Sequence, residues 1–516
     1  MENLALVGQV SRNLHTPQKL QLAVHGLWKN KVEFSLVSSV YLLGFVFYLW
    51  IFLRNQLVPM IDGPYYLIQV RSLLSMGVLV YGDPPLTFYL LSLFSVLLGD
   101  IGLGVKVGAA FFSALSTIPA YFLMKRVGKS VLAGLIAMLL VVFSAPYIRM
   151  LTDFMKNAVG VCWLFAFIYY LHDLAFTGIR KRSLALAMFF LVLTGLTHIL
   201  DFGVALVFLV FYTVMGLIFN VNRRSFLKAV SMIALVISAF VLIASTFFSF
   251  LFNDFIKILS FIQDLTAPKS SEVPTPAPSP APTPGPQPPG VPMDIFSIVG
   301  GLGIILLILS FGTILSLYVW RKKKEKEALL LLSATTIVGF IMCFPLIPSE
   351  WLSRFQLMIV IPTAIILSYG LSKMWGLNNA NSKFIAMVLL SICLSFFVAQ
   401  SVSITTIIHP TISDAGYLDL VNMKNQIPSD SIIAVFDYGI RYWVEYVDEV
   451  DITHGRIDEL SPDLWQSYSH VLSLFFKNQV PRIDFKTIFV GNVFILAELQ
   501  QNNHSRPIAY DFFHNL

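Results

Sequence analysis

The chain has 516 residues, of which 56% are hydrophobic and only 12% are charged, and its mean hydropathy is +0.75. These values exclude a soluble globular protein and indicate a protein that crosses a membrane several times. The net charge of +6 does not indicate a nucleic-acid partner, because the basic residues lie mostly in short loops between apolar runs, where they set orientation. The three cysteines lie inside apolar runs, which excludes a disulfide framework.

Apolar runs of roughly 17 to 25 residues are candidate transmembrane helices. We predict an all-α polytopic membrane bundle of about 11 transmembrane helices. In chain order the predicted spans are 34–52, 105–124, 131–147, 158–175, 184–197, 202–219, 229–252, 295–320, 328–347, 355–375 and 384–408.

A further apolar stretch, residues 84–98, decides which loops share a side of the membrane. At about fifteen residues it is short for a span. If it does not cross, the basic loops KRVGK, IRKRS, NRRSFLK and RKKKEKE all fall on one side, as the excess of Lys and Arg in cytoplasmic loops requires. We therefore expect it to lie along or dip into the outer surface, with the amino terminus cytoplasmic and the tail outside.

The same pattern predicts three regions. Residues 1–33 form a cytoplasmic segment, 34–408 the transmembrane domain, and 409–516 a small exterior domain whose short apolar runs between turn signals predict a mixed α/β fold. Within the transmembrane domain, loop 58–104 carries two surface helices. Residues 266–293 form a Pro-rich exterior linker, which we expect to be an extended polyproline II spacer.

The stretch VPMIDGPYYLIQV, residues 58–70, places Asp62 just after the first span. The Gly-Pro pair that follows predicts a tight turn that fixes the direction of this acid. The next segment, YYLIQVRSLLSMG, is typical of an amphipathic interfacial helix, with Tyr66 at headgroup depth and Arg71 further along. Alone, Asp62 would be an ordinary interfacial residue. However, a loop with two membrane-parallel helices is not needed merely to connect two spans, so Asp62, Tyr66 and Arg71 are candidate site residues.

The second exterior loop, YIRMLTDFMKNAVG, contains Arg149, Asp153 and Lys156. On a continuing helix Asp153 and Lys156 would share one face. The simplest account is a self-neutralising ion pair. The alternative is that Arg149 and Lys156 bind substrate beside Asp62 and that Asp153 is a second candidate catalytic residue.

Two further motifs lie at the outer ends of predicted spans. PSEWLSRF places Glu350 and Arg354 at the start of the tenth span. Arg354 is either an interfacial anchor or a phosphate ligand, since a planar guanidinium suits a phosphate. LTHILD places His198 near Asp201. A single histidine there is more often structural, and substrate binding is the alternative.

The acid after the first span, the DGPYYLIQVRSLLSMG helix and the PPLTFYLL segment together resemble membrane glycosyltransferases of the GT-C superfamily, which includes oligosaccharyltransferases. This resemblance implies a helical bundle with an exterior active site, a sugar donor on a polyprenyl phosphate or diphosphate, and Asp62 as the catalytic acid. It also implies that Arg354 lies near the lipid phosphate. Asp153 matches an acid that, with the first, holds a divalent cation in oligosaccharyltransferases. The implied ligands of Mg²⁺ or Mn²⁺ are therefore Asp62 and Asp153, although the family's paired acids are reduced to one in this loop.

The tail contains a shorter resemblance. Residues 435–439, Val-Phe-Asp-Tyr-Gly, are similar to the oligosaccharyltransferase signature Trp-Trp-Asp-Tyr-Gly. The two tryptophans help to read the acceptor sequon in that family. Their absence here weakens the case for transfer to Asn.

We therefore predict a glycosyltransferase of a prokaryotic plasma membrane that moves a sugar, with inversion, from a polyprenyl-phosphate donor to a protein, glycan or lipid acceptor on the exterior face. An oligosaccharyltransferase acting on protein Asn is the second hypothesis. A transporter or flippase, or a non-catalytic scaffold, is the third. A transporter would be expected to carry ionisable residues near helix midpoints, whereas here they lie at helix ends.

Overall fold

The computed structural model describes residues 16–252, 298–322, 325–377, 379–435, 437–453, 467–479 and 485–498. The Pro-rich linker 266–293 lies outside the described residues. The described chain is a helical bundle followed by a small domain with one sheet. The predicted fold class is therefore confirmed.

Sixteen described helices form the bundle region. The first eight are α1 (Thr16–Leu53), α2 (Gly63–Met76), α3 (Leu86–Leu98), α4 (Ile101–Leu115), α5 (Thr117–Gly128), α6 (Val131–Val142), α7 (Ala145–Asp153) and α8 (Met155–Thr177). The next eight are α9 (Lys181–Thr197), α10 (Ile199–Ile218), α11 (Arg223–Phe247), α12 (Ile298–Lys322), α13 (Lys326–Met342), α14 (Ser349–Leu357), α15 (Val360–Trp375) and α16 (Ala380–Thr406).

Each of the eleven predicted spans overlaps one of these helices or a consecutive pair. Among the described residues, eight helices are long and apolar enough to cross a membrane, and the pair α6–α7, bent by 51°, makes up to nine. The predicted spans 184–197 and 328–347 overlap α9 and α13, which have 17 residues each. A helix of this length reaches about 25 Å, which is slightly less than the hydrocarbon core.

The end of the first span and the start of the second lie at the same end of the bundle, with helix α3 between them in the chain. Helix α3 has 13 residues, about 20 Å, which is too short to cross the bilayer. It ends at Gly99, which adopts a left-handed backbone (φ 69°), and Asp100 then caps α4 by accepting the Leu103 N–H at 2.6 Å. Helix α4 runs antiparallel to α1: the Tyr41 and Phe111 rings are 6.1 Å apart, and Lys106 donates to the carbonyls at the end of α1, Asn55 and Gln56.

The charged ends of the spans meet at the opposite end of the bundle. Arg126 in the last turn of α5 pairs with Asp173 in α8, and Glu327 in α13 is 3.7 Å from the Arg126 guanidinium. Ser183 in α9 donates to the same Asp173, and Asn222 before α11 donates to the carbonyl that ends α8, Ala175. The four basic loops of the sequence therefore lie together at this end.

In the described part of the tail, two helices pack against a five-stranded sheet. The helices are α17 (Asp414–Met423) and α18 (Arg441–Asp448), and the strands are β1 (Ser431–Val435), β2 (Asp451–Ile452), β3 (His470–Phe476), β4 (Lys486–Val490) and β5 (Phe494–Glu498). The strand order is β2-β1-β3-β5-β4, with β1 parallel to both neighbours and β5 antiparallel to both of its own. The apolar run of β1 is buried throughout, as expected for a central parallel strand.

Candidate functional site

Asp62 lies in the connection between α1 and α2. Helix α2 begins at Gly63, where the turn approaches Val58 so closely that a Cβ would lie 2.9 Å from that side chain. The Met60 N–H donates to the His409 carbonyl at 2.9 Å, which ties this connection to the start of the tail. Asp62 occupies the N-cap position of α2, but its carboxylate makes no capping hydrogen bond. The carboxylate is therefore available to face other groups.

Asp153 ends α7, at a break in the chain where Phe154 adopts φ −116° and ψ 62°. Arg149, one turn earlier, donates to Asp153 Oδ2 at 3.1 Å. The backbone N–H groups of Ile61 and Asp62 interact with the Asp153 carboxylate. Its other oxygen, Oδ1, is buried and has no hydrogen-bond partner among the described residues. The structure therefore brings the two acids together at one place.

The pKa of the Asp62 carboxyl is raised to about 7. Burial is the main cause and the like charge of Asp153 adds to it, whereas the cations Lys156 and Arg354 oppose both. A carboxyl whose pKa lies near the working pH is well matched to accept a proton from a substrate.

Lys156 pairs with a residue that the sequence analysis did not select. We expected it to share a helix face with Asp153, and this was wrong because the break at Phe154 separates α7 from α8. Its ammonium instead lies 2.6 Å from Asp83 Oδ2, which the Tyr65 hydroxyl also contacts. Asp83 is buried. The available signal was an acid directly before the Pro-Pro pair that starts α3.

The pKa of the Asp83 carboxyl is lowered. Burial alone would raise the pKa, but the charge of Lys156, its hydrogen bond and the hydrogen bond from Tyr65 outweigh burial. Asp83 is therefore an anion in the site, and its Oδ1 is buried without a hydrogen-bond partner in the part of the chain that the structure describes.

Tyr66, which we expected to anchor the helix at headgroup depth, is packed inside the protein. It is buried with 1% of its surface exposed, and its hydroxyl accepts the Lys156 backbone N–H at 3.1 Å. Tyr66 therefore holds the first turn of α8 against α2. It belongs to the site cluster through this contact.

Arg354 also reaches this cluster. Its guanidinium lies 5.8 Å from the centre of the Phe154 ring, beside Asp153, and its charge lowers the pKa of Asp62. The side chain of Glu350, the other residue selected from this motif, lies outside the described residues.

The two remaining candidates have different surroundings. His198 precedes α10, and its Nδ1 lies 3.6 Å from Asp201 Oδ2, while its charge also acts on Asp83 at the edge of the cluster. Arg71 instead faces the tail: its guanidinium donates to the Tyr446 carbonyl at 2.5 Å and to Glu449 at 3.2 Å. The structure does not bring Arg71 into the cluster.

The cluster contains equal numbers of acids and cations. Asp62, Asp83 and Asp153 face Arg149, Lys156 and Arg354. Within the described ranges, no group of three His, Cys, Asp or Glu side chains could hold a metal ion. The two acids without a close lysine partner, Asp62 and Asp153, supply only two carboxylates, which is fewer than the six or more oxygen ligands that a hard cation takes.

No protein-family model matches the chain, and no curated protein matches it. Solved structures do match. The oligosaccharyltransferase AglB from Archaeoglobus fulgidus, in complex with an inhibitory peptide and a dolichol-phosphate, has a TM-score of 0.59 at 13% identity, with 86% of this chain and 70% of that chain covered. ArnT from Cupriavidus metallidurans has a TM-score of 0.55 at 10% identity, with 92% of this chain and 98% of that chain covered.

The chain has the GT-C fold. At these identities the GT-C likeness concerns the fold alone. ArnT has also been solved with undecaprenyl phosphate bound, and that structure matches at TM-score 0.54 and 12% identity, covering 90% of this chain and 97% of that chain. A further AglB structure contains zinc and sulfate.

Proposed function

We propose that this GT-C-fold protein transfers a sugar from a polyprenyl-phosphate-linked donor to an acceptor at the membrane surface, with the site at Asp62, Asp153 and Lys156. The observation that carries the proposal is the convergence of Asp62 and Asp153 beside three cations at the end of the bundle that bears the tail domain. Glycosyl transfer from a phosphate needs this combination. The acceptor hydroxyl must lose a proton, and the departing phosphate gains negative charge.

In the proposed reaction the Asp62 carboxylate takes the proton of the acceptor hydroxyl as its oxygen attacks the anomeric carbon. The bond from that carbon to the phosphate oxygen breaks, and the phosphate keeps the electron pair. Lys156 and Arg354 stabilise this developing charge, and Arg149 holds Asp153 in place. Attack opposite to the leaving phosphate inverts the sugar configuration.

A divalent cation fits the site only in part. Asp62 and the buried Asp153 Oδ1 would hold Mg²⁺ or Mn²⁺, and the donor phosphate and water would have to complete its ligands. When bound, such an ion would neutralise charge on the phosphate. Lys156 and Arg354 supply positive charge at the same place.

Oligosaccharyl transfer to protein Asn is the second candidate. Its support is the tail loop, where Asp437 Oδ1 accepts the Gly439 N–H at 2.6 Å and the Arg441 guanidinium stacks 4.3 Å from the Tyr438 ring. Residue 436 of this motif lies outside the described residues. Strict dependence on Mg²⁺ or Mn²⁺ and turnover of a lipid diphosphate would favour this candidate.

The first experiment identifies the donor. Membranes that contain wild-type protein or the Asp62→Asn variant are incubated with extracted polyprenyl-linked sugars, and each lipid is quantified by mass spectrometry. We expect one donor to be consumed by wild type only. Equal consumption by Asp62→Asn, or none by either protein in the presence of a broad set of donors and acceptors, would contradict the proposal.

A further inference from the structure

The short segment Tyr81–Asp83 carries the acid that holds Lys156, and α2 fixes this segment on one side. Gln69 is fully buried, and its amide pairs with the Tyr81 backbone in both directions, donating to the carbonyl at 2.9 Å and accepting the N–H at 3.0 Å. Gln69 also donates to the Tyr65 hydroxyl at 3.2 Å. Helix α2 therefore fixes the position of Asp83 relative to Lys156.

Helix α18 of the tail domain fixes the same segment on the other side. The Tyr81 hydroxyl donates to the Glu445 carboxylate. The Tyr442 ring packs against both tyrosines of this cluster, with centroid distances of 5.5 Å to Tyr65 and 6.0 Å to Tyr81. Tyr65 contacts the Asp83 carboxylate, and Tyr81 lies two residues before Asp83 in the chain. Helix α18 therefore contacts the residues that position the Asp83–Lys156 pair.

A second set of contacts joins the tail to α2 through Arg71 rather than through Tyr81. Arg71 stacks 4.8 Å from the Tyr446 ring and reaches Glu449, which also accepts from Lys424 at 3.0 Å. These residues bind the tail to the bundle through Arg71, which also donates to the Glu445 backbone carbonyl at 3.5 Å, whereas Tyr81 contacts the Glu445 carboxylate. Glu445, within α18, and Glu449, the residue that follows α18, therefore separate two possible roles of the tail: positioning Asp83 and binding the bundle.

We propose that α18 positions Asp83, and through it Lys156, so that the tail domain sets the affinity of the site for the phosphate of the donor. The inference rests on the proposed function. A lysine ammonium on a flexible stem loses much of its rotational freedom when it binds an anion. Holding it in place by Asp83 and Tyr65 before the phosphate arrives reduces that loss. Glu445 and Tyr442 are positioning residues in this account, since they act through others.

The test is a double-mutant cycle between Glu445 and Lys156. Binding of undecaprenyl phosphate and of dolichyl phosphate to the full-length protein in nanodiscs is measured for wild type, Glu445→Gln, Lys156→Met and the double variant. We expect Lys156→Met to weaken binding about 10- to 100-fold and Glu445→Gln about 3- to 10-fold. In the Lys156→Met background, Glu445→Gln should have no further effect. With turnover as readout, Glu445→Gln should raise KM for the donor and leave kcat within about two-fold.

Glu449→Gln is the matched control, because it removes an equal charge at the end of α18 and leaves the contact between Glu445 and Tyr81 in place. It should bind lipid phosphate as wild type does. Tyr81→Phe, which deletes only the hydroxyl that reaches Glu445, should reproduce the effect of Glu445→Gln, and the two changes together should not add.

Four results would overturn the inference. In the first, Glu445→Gln weakens lipid binding equally with and without Lys156, and in the second, Glu449→Gln weakens it as much as Glu445→Gln does. In the third, Glu445→Gln leaves lipid binding unchanged. In the fourth, Glu445→Gln binds the lipid more tightly than wild type, which would mean that Asp83 competes with the phosphate for Lys156. Failure of wild type to bind either lipid phosphate would overturn the proposed function as well. Normal wild-type binding without coupling would overturn this inference alone.

Discussion

Asp448 shows how one buried carboxyl makes stability depend on pH. It ends α18 and is 4% exposed, and neither carboxylate oxygen has a hydrogen-bond partner in the described portion of the tail. Burial raises the pKa of this carboxyl to about 8, and Lys424 only partly opposes the effect. The folded state therefore binds this proton more tightly than the unfolded chain, whose value is near 3.8. The resulting stability is complete below about pH 4 and is lost as the pH rises towards 8.

We expect Asp448→Asn to raise the thermal unfolding midpoint relative to wild type by an amount that grows with pH, because the amide needs no proton to stay neutral. The measurement is thermal unfolding of the purified full-length protein in detergent at pH 5, 6.5 and 8. Asp414→Asn, on the exposed first turn of α17, is the control. A difference that stays constant over this range would show that Asp448 is not the cause.

For individual residues, the sequence predicted where the charged side chains of the site lie better than it predicted which residues they pair with. Asp62, Arg149, Asp153 and Lys156 were selected because they stand at span ends on one side of the membrane, and the structure brings them together. The partner of Lys156 was missed, because Asp83 comes from a different loop and only the packing of α2, α3 and α8 brings it within reach.

The contact between helices α8 and α10 depends on Gly160. A Cβ on Gly160 would lie 2.1 Å from the Asp201 carboxylate, so the two helices can only approach this closely because a glycine stands there. Asp201 is fully buried. It also lies 3.6 Å from His198, so this packing supports the edge of the site cluster.

We expect Gly160→Ala to destabilise the protein by about 1–3 kcal/mol, because an added methyl group in a packed interface forces a backbone shift. Adding Asp201→Ala to Gly160→Ala should relieve most of this cost, since it removes the carboxylate atoms that the new methyl group would meet. Gly203→Ala, one turn into α10 with no atom within 4 Å of its added Cβ, is the matched control and should not destabilise the protein, because alanine favours a helix more than glycine does. Unfolding midpoints of the four proteins give the answer. An equal loss for Gly160→Ala and Gly203→Ala would contradict this account of the interface.

Helix existence was predictable from apolar periodicity and length, but helix breaks were not. The predicted span 131–147 is two helices, α6 and α7, because the chain turns at Ser144 and Pro146 lies in the first turn of the next helix. The second break, at Phe154, has no proline or glycine to indicate it. Tertiary contacts on both sides, Arg149 to Asp153 and Lys156 to Asp83, accompany the break, and such contacts cannot be read from local sequence.

At the scale of the whole molecule, charge is divided between the two ends of the bundle. Arg126, Asp173 and Glu327 lie at one end of α8, while Lys156 and the acids of the site lie at the other. These ends of α8 are separated by about 25 Å. Since basic loops face the cytoplasm, the site and the tail are expected on the exterior side.

Cysteine labelling tests this arrangement. We expect single cysteines at Ser75, near the end of α2, and at Asp100, directly before α4, to react with an impermeant maleimide in intact cells, because α3 between them is too short to cross the bilayer. A cysteine at Arg180 should react only after permeabilisation. Background is expected to be small, because the native cysteines are buried or partly buried. Labelling of positions 75 and 100 from opposite sides would contradict the arrangement.

The account depends most on Asp62 acting in transfer from a lipid phosphate. The most direct measurement is release of polyprenyl phosphate from its sugar-linked form by purified, reconstituted protein, with lipid binding measured in parallel. We expect Asp62→Asn to slow release about 10²- to 10⁴-fold while lipid phosphate still binds. Asp100→Asn, whose amide can still cap α4, should release lipid phosphate as wild type does. Release by Asp62→Asn at the wild-type rate would contradict the account.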